Sequence, residues 1–224
     1  MKRLFLFVVL FLLLAACSGT MTQIPVTSIP SATSVVSTPE LVSATPASTI
    51  AVNSSPTPAP TADFFTQTGI TLPAPVCTAL TQSQTEGPYY KPDTPERNSL
   101  FEEGMPGTRL VLVGYVLDQN CQPLPNAWLD FWQADANGEY DNTGYRLRGH
   151  QFTDAQGRYY LETILPGLYS SRPIEHIHVK LRHEGGQEIT SQLYFSQQPV
   201  EGLTVALEER GDYMLGYFNF VVQR

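Results

Sequence analysis

The feature that most restricts the fold is a series of short apolar runs separated by turn-forming clusters. The runs are RLVLVGYVL (109–117), AWLDFW (127–132), RYYLETI (158–164), HIHVKL (176–181), ITSQLYF (189–195) and YFNFVV (217–222). Each is rich in β-branched and aromatic residues. Between them lie DQNCQPLPN, DANG, DAQG and HEGG, clusters of residues that favour turns. Runs of this length with no long helical period predict an all-β domain, an antiparallel β-sandwich. Leu203–Arg210 departs from the pattern and reads as a short helix or loop.

Ahead of this region the composition changes twice. Lys2 and Arg3 precede an uncharged apolar run from Leu4 to Leu14, which ends in Leu-Ala-Ala-Cys at Cys17. The run is shorter than the ~20 residues of a membrane span. A basic start, an apolar run and small residues before a cysteine have the form of a bacterial lipoprotein signal. Residues 1–17 are therefore expected to be a signal peptide, with lipid on Cys17 holding an exported protein to a membrane surface. Residues 18–76 are dominated by Ser, Thr, Pro, Ala and Val, and their only charges are Glu40 and Asp63. Recurrent proline forbids regular helix or central strand, so the segment reads as an extended, disordered tether. Phe64 and Phe65 are its candidates for docking on the folded part.

The folded domain is expected at 77–224, long enough for one core. Charges in the first 76 residues cancel, so the formal charge of −8 belongs to this domain. That balance excludes a basic nucleic-acid surface. Two cysteines, Cys77 and Cys121, remain after Cys17. Two cysteines in an exported domain favour a disulfide, which would fasten the start of the domain to the turn after its first strand.

His176 and His178 sit two apart in the run RPIEHIHVKL. Strand side chains alternate, so both imidazoles face one way, about 6–7 Å apart along the strand, as two ligands of one metal require. Tyr169 lies just upstream in ILPGLY and Tyr140 further back in NGEY. Zinc sites use Cys, His and carboxylate, whereas phenolate is a hard anionic donor. Only a strongly Lewis-acidic ion holds a tyrosine ionised at neutral pH. Two His with two Tyr therefore point to Fe(III).

With these residues stand TEGPYY (85–90), LPNAWLDFWQADANGEY (124–140), RGHQFTDAQGRYYLETILPGLY (148–169), RPIEHIHVKL (172–181) and SQLYF (191–195). In this order the blocks resemble the intradiol ring-cleavage dioxygenases, the catechol and protocatechuate dioxygenase family, and in particular its short exported members. The stretch from Gly114 to Tyr169 also resembles the non-catalytic transthyretin-like or carboxypeptidase-regulatory binding modules. In such a module Tyr169 would be a core aromatic after a Pro-Gly turn. TEGPYY, the histidine pair and SQLYF have no place there.

The dioxygenase resemblance implies a sandwich with a loop-built, mononuclear non-haem Fe(III) site. Its ligands would be Tyr140, Tyr169, His176 and His178 with one hydroxide, and Tyr169 would be the ligand released when substrate binds. Tyr145 is the alternative to Tyr140. Arg172 is similar to the family's active-site arginine, although the segment before the first histidine is one residue longer than in the protocatechuate enzymes. Gln192 matches a glutamine near the substrate. His150 and His183 receive no ligand role. The implied reaction is cleavage of a catechol-type substrate by O2, between its two hydroxyl-bearing carbons, to a cis,cis-muconate-type diacid. No residue pattern selects one catechol or one oligomeric state.

Overall fold

The computed structural model describes residues 63–77, 79–169, 172–195 and 198–224. The expected signal peptide, Cys17 and most of the expected tether lie outside them. The described elements are α1 (Phe64–Thr68), β1 (Arg109–Asp118), β2 (Trp128–Gln133), β3 (Arg148–Phe152), β4 (Arg158–Ile164), β5 (His176–Arg182), β6 (Ile189–Tyr194), β7 (Ala206–Arg210), β8 (Tyr213–Tyr217) and β9 (Phe220–Val222).

The strands form two sheets. One has the order β4-β1-β8-β7, with β9 pairing the far end of β1; the other has the order β3-β2-β5-β6. Alternation along each strand sends one set of side chains between the sheets. Leu110, Leu112, Leu129, Phe131, Leu161, Ile177, Val179, Leu193 and Phe220 make up much of this shared core. It is the dry interior that a sandwich needs.

The expected sandwich is thus observed, with three differences. First, β1 runs parallel to both β8 and β9, so the larger sheet is mixed. Strands β8 and β9 arrive only after the chain has built the second sheet. A connection that long can deliver a strand in either direction, unlike a tight hairpin. Second, Ala206–Arg210 is strand β7, although ALEER is rich in helix formers. Antiparallel pairing with β8 overrides the weak local preference. Third, part of the segment assigned to the tether packs on the domain. Asp63 caps α1 by accepting from the Thr66 N–H at 3.1 Å. Phe65 is buried beside Val111, Val113 and Leu215 on the outer face of the larger sheet. Phe64 stacks on Tyr160 with ring centroids 3.7 Å apart.

Cys77 and Cys121 are disulfide-bonded, with Cα atoms 5.7 Å apart. The bridge ties the entry segment to the turn between β1 and β2. From there residues 82–98 run across the outer face of the smaller sheet. Gln84 N–H donates to Thr190, and Arg97 N–H to His150. This crossing covers the face of the smaller sheet on which the expected histidines lie.

Candidate metal centre

Cross-strand register assembles the site. Trp132 on β2 is opposite Arg148 on β3 and His178 on β5, and His178 is opposite Gln192 on β6. These four side chains form one row on the face turned away from the sandwich core. The next row pairs His176 with Tyr194. All six are buried, none more than 2% exposed.

The loops supply the tyrosines. After β2 the DANG turn is closed by Asp135, whose Oδ1 accepts from the N–H groups of Asn137 and Glu139. The Pro-Gly loop before Tyr169 lies directly on this turn, with Gly167 N–H donating to the Asp135 carbonyl at 2.8 Å. Two glycines permit the approach. A Cβ on Gly138 would sit 2.1 Å from the Leu168 carbonyl oxygen, and one on Gly167 would sit 2.3 Å from that of Ala136. The contact brings the Tyr140 and Tyr169 rings to 5.8 Å, edge to face. Asp141 then rigidifies the chain just beyond Tyr140, its carboxylate accepting from the N–H groups of Gly144 and Arg146. Those bonds hold its pKa well below the usual carboxylate range.

His176 and His178 point at each other, with Nε2 atoms 3.1 Å apart. The Nδ1 of His176 lies 2.7 Å from the Ile174 carbonyl oxygen. A carbonyl only accepts, so Nδ1 carries the proton and the Nε2 lone pair faces the site. Burial pushes the pKa of His176 down to about 4, and burial with the neighbouring His176 pushes His178 down to about 2. Both are therefore neutral donors at pH 7. The Tyr140 hydroxyl is buried without a hydrogen-bond partner. Burial, reinforced by the adjacent Tyr169, drives its pKa well above 10.

These donors fit an iron ion. Two imidazole nitrogens at ~2.1 Å from one ion, at right angles, lie ~3 Å apart, as the facing Nε2 atoms do. The Nδ1 of His178 is buried without a partner, so its Nε2 can donate to His176 in the metal-free protein and would offer its lone pair to a bound ion. An unpaired buried phenol costs free energy, and a strongly Lewis-acidic cation would remove that cost by ionising and binding it. Among the described residues no group of three or more His, Cys, Asp and Glu is arranged to hold a metal. The candidate donors are instead the two histidines with the two tyrosines.

Around the cluster, Trp132 stacks on His178 at 4.7 Å and Tyr89 on Tyr140 at 4.4 Å. Gly87 lies against His178: a Cβ there would be 3.5 Å from its Cε1. Arg172 donates to the Tyr194 hydroxyl at 3.0 Å. Both ends of the Gln192 amide are engaged, Nε2 by the Thr85 carbonyl and Oε1 by the Tyr194 hydroxyl. Tyr145 points elsewhere, donating to the Pro92 carbonyl. His150 bonds Thr94, and His183 bonds the Gln223 carbonyl. A cleft of about 340 Å³ beside the Tyr169 loop is lined by Leu168, Ile174, Glu175, Phe195 and Gln198. A larger hollow of about 410 Å³, lined by Leu80, Ile189 and Val221 among others, shares no residue with the His–Tyr cluster.

Sequence reasoning missed Arg148 and Tyr194. The Arg148 guanidinium donates to the carbonyls of Asp141 and Tyr89, which flank Tyr140 in sequence and in stacking. Its only signal in the sequence is the alternation of RGHQF. Tyr194 stood in a recognised block without a role.

The chain is similar to known dioxygenases. A family model described as "Dioxygenase" matches residues 85–204. Its span takes in TEGPYY, the histidine pair and SQLYF, which a transthyretin-like module leaves unexplained. Catechol 1,2-dioxygenase of Acinetobacter baylyi is 30% identical over 166 residues, covering 57% of this chain and 53% of that protein. The chain thus spans about half the length of the curated relatives it matches. Among solved structures, the dioxygenase domain of a dioxygenase–carbohydrate-binding fusion from Streptomyces sp. SirexAA-E is 44% identical. It has a TM-score of 0.63 and covers 65% of this chain and 99% of that one. The 3-chlorocatechol 1,2-dioxygenase of Rhodococcus opacus 1CP is 28% identical. It has a TM-score of 0.59 and covers 64% of this chain and 72% of that one.

Proposed function

The chain belongs to the intradiol ring-cleavage dioxygenase family, and from that premise we propose that it uses O2 to open a catechol-type ring to a cis,cis-muconate-type diacid. The observation that carries the reading is the pair of facing, neutral imidazoles beside a buried phenol with no partner. Tyr140, Tyr169, His176 and His178 would hold Fe(III), which supplies Lewis acidity that binds a catecholate and makes its ring reactive towards O2.

The remaining work belongs to the protein. His176 is oriented by the Ile174 carbonyl and stays a donor. Tyr140 stacks on Tyr89, the carbonyl of the next residue, Asp141, accepts from Arg148, and Tyr140 would serve as the retained phenolate. Tyr169, on the Pro-Gly loop, would be the exchangeable ligand, and its oxygen could then take a proton from the incoming diol. Arg172 brings positive charge to the ring as negative charge develops on it. Trp132 and Tyr89 hold the His178 and Tyr140 rings by stacking on them. We further propose that lipid on Cys17 anchors the exported domain at a membrane surface. The Cys77–Cys121 disulfide supports an oxidising compartment.

The test is metal analysis, visible absorption and oxygen uptake. Purified protein should carry stoichiometric iron and a strong phenolate-to-iron visible band. His176→Ala or His178→Ala should lose most of the iron, and Tyr140→Phe should shift or lose the band together with activity. Tyr169→Phe should alter the spectrum while keeping some iron. Anaerobic catechol should shift the band. Protein that stays colourless after iron loading and consumes no O2 with any catechol would overturn the reading.

A further inference from the structure

We propose that Tyr194 is a positioning residue that aims Arg172, as the last link of a hydrogen-bond relay running Thr85–Gln192–Tyr194–Arg172. The proposal rests on the reading of Arg172 as the group that stabilises charge on the ring.

The relay has a set polarity. The Gln192 Nε2 donates to the Thr85 carbonyl at 2.6 Å, so the amide oxygen faces the other way. That oxygen accepts the Tyr194 hydroxyl proton at 2.8 Å. With its proton committed, the phenol oxygen offers only lone pairs, and a donor must come to it. Arg172 Nη2 does so at 3.0 Å. A second acceptor, Gln84 Oε1, stands 3.5 Å from the hydroxyl, too far to compete with the 2.8 Å bond. Gln192 is fully buried with both amide ends used, so it serves the site through Tyr194.

A neutral partner suits the purpose. Arginine has a long, flexible stem, and its side chain must be held to act on one spot. A carboxylate would hold it but would also cancel the charge. A phenol oxygen orients the guanidinium and leaves the charge free. Among the described residues no ion pair involves Arg172. Its backbone is already fixed to the metal loop, its N–H donating to the Tyr169 carbonyl at 2.9 Å. Tyr194 is itself anchored, opposite His176 on β5 and 2% exposed. The arginine thus hangs between the loop of Tyr169 and the strand beside His176.

Tyr194→Phe keeps the ring and removes the hydroxyl. In the iron-loaded full chain, iron content, resting visible band and anaerobic catechol affinity should match the unmutated protein. The kcat for oxygen uptake should fall about 10- to 100-fold, the scale of a misplaced catalytic group. Adding Arg172→Met to Tyr194→Phe should cost no more than Arg172→Met alone. Crystal structures of the two proteins should show the Arg172 guanidinium displaced in the variant. An Arg172 that keeps its pose overturns the proposal whatever the activity, as does loss of iron in Tyr194→Phe, additive effects of the two substitutions, or kcat within about twofold of the parent. If the unmutated protein is inert to every catechol, the functional reading fails instead; the crystal structures still decide whether Tyr194 aims Arg172.

Discussion

His178 shows how one buried position serves two demands. Its imidazole lies between the Trp132 indole and the other site residues, where a charge would be poorly solvated. The strand that buries it also keeps it an available donor. The same burial makes stability depend on pH. An unfolded histidine takes up its proton near 6.5, whereas native His176 does so only near 4 and His178 near 2. Below about pH 6.5 the unfolded chain binds more protons, so stability present at neutral pH is lost as pH falls from there through the two depressed values. Metal-free protein should therefore have a lower denaturation midpoint at about pH 5 than at about pH 7.5. His178→Gln should shrink that difference, and an unchanged pH dependence in the variant would refute the assignment. Tyr145 teaches the opposite lesson at this scale. It has the right chemistry five residues from Tyr140, but its hydroxyl is spent on the Pro92 carbonyl.

At the scale of elements, the site depends on segments that cross the sheets. The entry segment reaches the smaller sheet from a disulfide at Cys77 that closes 44 residues. By loop-closure entropy the bridge should contribute about 3–4 kcal/mol, read as a drop in denaturation midpoint when both cysteines become serine. Thiol titration of the denatured, unreduced protein should find neither thiol free; two free thiols would reject the bridge. On the opposite side α1 behaves as part of the domain. Phe65 is 8% exposed, with the Arg158 guanidinium 4.4 Å from its ring centre. Phe65→Ala should destabilise by about 2–3 kcal/mol, the value of a buried aromatic near an edge. A change below about 0.5 kcal/mol would mean that α1 is not held in solution. Strand β7 makes the same point about context, since helix-forming residues extend there because β8 offers an edge.

For the molecule as a whole, the expected anchor and the metal chemistry are separable. Among the described residues no helix is long and apolar enough to cross a membrane. The proposed attachment is the lipid on Cys17, which lies outside the described residues. Cys17→Ser should shift the protein out of the membrane fraction or leave its signal uncleaved, and an unmutated chain found wholly soluble would sink the anchor. What the sequence determined by itself is local. Period-two alternation and turn residues placed six strands, His-x-His put two imidazoles on one face, and two cysteines outside the signal admitted a single intramolecular pairing. Tertiary structure decided what depends on distant partners. It set the parallel entry of β8 and β9, the packing of Tyr140 against Tyr169 while Tyr145 bonds Pro92, the row that puts Arg148 beside Trp132 and His178, and the link from Arg172 to Tyr194. Alternation says which face a side chain takes. Only register between strands and the close approach of two glycine-bearing loops say which side chains meet there.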